Sequence, residues 1–73
     1  MDSETVNNRI ANLFRRSAKT GEVVTREEII QATGSQLDPL KRVRRNGGAR
    51  DILDREGIEV IWLGGNKWKG EHS

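Results

Sequence analysis

Val6, Ile10, Leu13 and Phe14 fall at i, i+4, i+7 and i+8, one apolar stripe at helical period, with polar and basic residues filling the other face. The spacing predicts a first helix over about residues 4–19. Asp2, Ser3 and Glu4 suit its start, where acids oppose the positive end of the helix dipole, and Lys19 followed by Gly21 suits its end. Arg15 and Arg16 match the negative end of the same dipole. Glu22-Val23-Val24 is β-branched and long enough for one rung of a strand. Thr25-Arg26-Glu27-Glu28 then reads as a capping box: the Thr25 hydroxyl accepts from the Glu28 amide, and the Glu28 carboxylate accepts from the Thr25 amide. Val24 and Ile29 are spaced as the accompanying hydrophobic staple. A second helix therefore begins at Arg26, buries Ile29, Ile30 and Ala32, and stops at Gly34 as a left-handed cap.

Asp38-Pro39 is a further helix start, with Asp38 as N-cap and Pro39 at the first helical position. On one continuous helix from Leu40 to Glu56, Leu40 and Val43 point away from Ile52 and Leu53. Two glycines in its interior would each cost about 1 kcal/mol. A break is therefore expected near Asn46-Gly47-Gly48, followed by a helix that buries Ala49, Ile52 and Leu53 and is capped by Gly57. Ile58 to Leu63 is rich in β-branched and aromatic residues and predicts a strand. Gly64-Gly65-Asn66 forms a turn that needs positive φ, and Lys67-Trp68-Lys69 returns. With a three-residue loop Trp62 lies opposite Trp68 and Leu63 opposite Lys67, both tryptophans packing into the hairpin or core. Gly70 to Ser73 reads as a frayed tail, and His72 within it needs no role.

Composition sharpens this picture. In 73 residues, hydrophobic and charged side chains each make up 33%, so one small domain with a compact core is expected, ordered over about residues 4–69. With no cysteine, neither a disulfide framework nor a zinc finger can staple it. No apolar run approaches the roughly 18 residues of a membrane span, and the acidic N-terminus does not resemble a signal peptide, so a cytoplasmic protein is expected. The net charge of +2 is small, but it is unevenly spread. Residues 1–34 balance five acids with five bases, whereas Lys41, Arg42, Arg44, Arg45 and Arg50 follow one another with no intervening acid. A local positive field of this kind suits a polyanion.

The order helix, short strand, helix, turn, helix, hairpin resembles the winged helix-turn-helix DNA-binding family. The stretches that carry the resemblance are Val23 to Gly34 and Arg50 to Val60. The first is similar to the family's second helix and turn, and the second to the end of a recognition helix passing through glycine into the wing. The link from Gly34 onward, holding Pro39 and Gly47-Gly48, is longer than the family's usual turn. The resemblance implies an α+β fold of three or four helices with a C-terminal hairpin wing. It also implies a recognition helix in the major groove and a wing on the backbone or minor groove.

The residues point the same way. Lys41, Arg42, Arg44 and Arg45 suit guanine edges and phosphates. Asn46, with the two glycines after it, permits close approach of the backbone. Arg50, and Asn66, Lys67 and Lys69 on the hairpin, complete the expected DNA contacts. Gln31 and Thr33 are expected to face solvent. The function these features predict is duplex-DNA binding by a small transcriptional regulator or an accessory factor of a phage or mobile element, acting alone or with a second copy on DNA. A protein adaptor and an RNA binder remain open as alternatives. A lone tail histidine, no cysteine, no phosphate-loop motif and acids that alternate with bases argue for a protein that is not an enzyme, with no metal site and no cofactor.

Overall fold

The computed structural model describes residues 3–34 and 48–72. Helix α1 spans Ser3–Thr20. Its apolar stripe turns inward: Val6, Ile10 and Phe14 are buried and Leu13 is half-buried, with Ala11 joining them. The helix ends where the Gly21 amide donates to the Ser17 carbonyl at 2.8 Å. Strand β1 (Val24–Thr25) follows, and Thr25 is at once its last residue and the N-cap of α2 (Arg26–Thr33). Both halves of the capping box form: the Glu28 amide donates to Thr25 Oγ1 at 3.3 Å and the Thr25 amide donates to Glu28 Oε1 at 3.2 Å. Val24 and Ile29, the staple pair, are both buried in the core. Gly34 closes α2 at φ 68°, as expected. The buried side of α2 is Ile29 and Thr33, while Ile30 and Ala32 are only half-buried.

The helix start expected at Asp38-Pro39, and the positions of Leu40 and Val43, lie outside the described residues. Helix α3 runs Ala49–Arg55 with Gly48 as its N-cap, so a helix does begin beyond the glycine pair. Ala49 and Leu53 are buried and Ile52 packs against the core. The cap at its C-terminal end is Glu56, and Gly57 stands one residue beyond at φ 75°. That is the usual place for a left-handed glycine after a helix.

Strands β2 (Ile58–Gly64) and β3 (Lys67–His72) form the hairpin, and β1 adds to it, giving an antiparallel sheet of order β1-β3-β2. Trp62 does pair with Trp68, but Gly64, not Leu63, faces Lys67. Leu63 is the extra residue of a β-bulge, because Gly64 and Gly65 take φ of 96° and 59° and shorten the turn. Trp68 is 3% exposed but Trp62 is 58% exposed, so the expectation that both tryptophans are packed holds for Trp68 alone.

The frayed tail is also corrected: Gly70, Glu71 and His72 continue β3, paired with Val60, Glu59 and Ile58. Here the physical reason is long-range. Helix α1 lies across β3 so closely that a Cβ on Gly70 would sit 3.1 Å from the carbonyl carbon of Phe14 and closer still to its oxygen. Only glycine fits. Continuing the β1–β3 register by two residues would bring Glu22 opposite Gly70. Instead the Ser17 hydroxyl occupies that rung, accepting from the Gly70 amide at 3.0 Å and donating to the Glu22 carbonyl. One buried serine on α1 thus completes the sheet where β1 leaves it.

Candidate nucleic-acid interface

The start of α2 and the tip of the hairpin are built as one unit. A helix leaves its first amides without intrahelical partners. At α2 the cap satisfies one of them, and the Arg26 amide donates to the Asn66 carbonyl at 3.0 Å. The turn is therefore anchored to the helix by its own backbone. In the adjoining rung Thr25 faces Lys67, which places their side chains on the same face of the sheet.

Between α2 and the tip lies an open groove of about 1050 Å³, lined among others by Arg26, Glu27, Ile30, Gln31, Leu63 and Lys67. Its apolar part is Ile30 and Leu63, and Arg26 and Lys67 supply positive charge from either element. Arg26 and Lys67 are exposed, and neither has an ion pair among the described residues. Such cations suit phosphate oxygens.

Of the sequence-expected contacts, Asn66 and Lys67 stand at this groove. Lys69 lies two residues along β3, where its ammonium is 3.8 Å from the Glu71 carboxylate. Arg50 is exposed on α3, with no ion pair among the described residues. Lys41, Arg42, Arg44, Arg45 and Asn46 lie outside the described residues. Gln31 is exposed as expected, but it lines the groove, and Thr33 is buried, its hydroxyl donating to the Ile30 carbonyl at 3.1 Å. Arg26 was not anticipated from the sequence. The signal for it is indirect: once β1 is known to pair with β3, the residue after Thr25 must stand beside the turn.

Arg15 and Arg16 do not serve the helix dipole alone. Arg15 grips Glu56 through both guanidinium and carboxylate edges, with Nε donating to Oε1 at 2.8 Å, and Arg16 stands 3.4 Å from Glu22. The hydrogen bonds from Arg15 hold the Glu56 carboxyl below the usual carboxylate range, against a smaller opposing effect of desolvation. The same bonds push the Arg15 guanidinium above its ordinary value. This pair ties α1 to the end of α3, and both groups are spent on structure.

No three of His, Cys, Asp and Glu form a metal-binding group among the described residues. No helix among them is long and apolar enough to cross a membrane. A sequence model of the family described as Restriction endonuclease NaeI matches residues 1–72. No curated protein and no solved structure gives a significant match. The family match corrects the expectation that the chain is not an enzyme, since restriction endonucleases are enzymes that cleave DNA. That expectation rested on a lone tail histidine, no cysteine, no phosphate-loop motif and acids that alternate with bases, local signs that similarity over residues 1–72 outweighs. The match also ties the chain to DNA as its partner.

Proposed function

This chain belongs to the restriction endonuclease NaeI family, and on that premise we propose that it binds duplex DNA as a winged-helix unit in the service of DNA cleavage. The observation that carries the reading is the anchoring of the hairpin tip on the start of α2, with Arg26 and Lys67 flanking the groove between them. The sheet order β1-β3-β2 supports it, because it holds β3 in the middle and brings the β2–β3 tip beside the start of α2, where a wing would stand. The basic run Lys41 to Arg45 and Arg50 supplies the groove-reading side chains, and Asn66, Lys67 and Lys69 the backbone contacts. The family favours a part in DNA cleavage over the regulatory role that element order alone allows.

The test is titration of a labelled duplex at two salt concentrations. With about six phosphate contacts, affinity falls roughly 10³-fold between about 50 and 200 mM salt. Absence of binding at the lower salt, or binding indifferent to salt, contradicts the reading. Structured RNA of equal length serves as competitor, and its success over duplex DNA would assign the surface to RNA instead.

A further inference from the structure

We infer that Trp62 is a stacking platform for a nucleobase that has left its own stack, so that this chain prefers DNA with an unpaired base over a continuous duplex. The inference rests on the DNA-binding reading above and adds a ligand to it.

Three aromatic residues are present in the chain. Phe14 and Trp68 are 0% and 3% exposed, and Trp62 is 58% exposed. An indole presents one polar group, its Nε1–H. In Trp62 that group already donates to the Gly65 carbonyl at 3.0 Å. The bond holds the ring against the hairpin turn and leaves nothing on the indole for water to hydrogen-bond. What remains outward is π surface.

The register fixes where that surface stands. Trp62 is the last regular rung of β2 before the Leu63 bulge, directly opposite the buried Trp68. The ring is therefore set on the tip of a ribbon that is itself tied to α2 through the Arg26–Asn66 bond. Lys67, next to Trp68 in β3, is exposed on the other face of the ribbon, so a phosphate held there and a base stacked on Trp62 would meet the tip from its two sides. A rigid aromatic face with no polar group left over matches the flat base of a nucleotide. A base inside a continuous duplex has both faces covered by its neighbours. A base opposite a gap, in a bulge or at a strand end has a face to offer, and it gives up little to move.

The experiment compares two duplexes that differ by one extrahelical adenine, titrated against the full chain and read by tryptophan fluorescence and by competition. Stacking of one base on one aromatic ring corresponds to a preference of about 5- to 150-fold for the bulged duplex, accompanied by quenching that the matched duplex does not produce. Trp62→Ala brings the ratio of the two affinities to about one. Trp62→Leu keeps an apolar side chain on the ribbon but no π face, so it also loses the ratio and guards against a mere loss of fold, which a thermal melt checks. Lys67→Ala weakens both duplexes alike and keeps the ratio.

Equal affinity of the native chain for both duplexes, or a preference that survives Trp62→Leu, overturns the inference while leaving duplex binding intact. Binding to neither duplex overturns the DNA-binding reading and this inference together. Quenching by a protein partner with none by either DNA assigns the ring to protein recognition and likewise overturns it.

Discussion

At the scale of single residues, Ser17 and Gly70 stand 53 positions apart and are joined by a buried hydrogen bond that closes α1 onto β3. A methyl group at position 70 would press into the Phe14 backbone and against the Ile58 side chain. Gly70→Ala is therefore expected to destabilise the fold by about 1–3 kcal/mol, measured by chemical denaturation, and an unchanged midpoint would mean that α1 and β3 are not in this contact. Neither residue was legible beforehand. Ser17 looks like any helix-surface serine, and Gly-Glu-His reads as a tail until the helix that crosses it is known.

Glu56 gives a second residue-scale expectation. Its carboxyl is depressed in the folded state by Arg15, so its contribution is present above the ordinary carboxylate pKa and is lost as pH falls through the lowered one. Both partners are partly solvated, so the effect is small. The gap in melting temperature between the native chain and Glu56→Gln should be open at about pH 6 and close only as pH falls below the ordinary carboxylate range. A gap that stays constant across that range would argue against the pair.

Whole elements were more readable than their joints. The stripe from Val6 to Phe14 and the Thr25–Glu28 box carry their structure in a few neighbouring positions, and both form as expected. The pairing of β1 with β3 has only two rungs, too few to leave a periodic signal. The bulge at Leu63 depends on how Gly64 and Gly65 divide the turn between them, which the three letters Gly-Gly-Asn do not specify. Trp62 was expected to be packed because large apolar residues are scarce here; the edge position of β2 left it outside. Since Thr25 ends β1 and caps α2, its loss should loosen both. Thr25→Ala is expected to lower stability by about 1 kcal/mol and to speed hydrogen exchange at the Arg26 amide, which donates to the hairpin turn. A stability loss with no change at Arg26 would separate the cap from the docking of the hairpin.

Taken as a whole, the molecule sets an exposed α3 arginine and a helix-anchored hairpin in a small α+β fold of a DNA-cleaving family, in a chain whose sequence also carries a basic stretch. The α+β class and the DNA partner were legible from element order and from where the arginines cluster. The link to cleavage was not, because it lies in similarity along the whole chain and in no local motif. Lys67→Ala is expected to weaken binding about equally across duplex sequences and to lower the salt slope by about one. A sequence-dependent loss would make it a base contact.

Titrating the labelled chain with a short duplex and following every backbone amide tests the central claim most directly. Arg26, Asn66 and Lys67 should shift together with residues 41–50 and saturate at one stoichiometry. Shifts confined to the exposed side of α1, with the α2–hairpin tip unmoved, would contradict it.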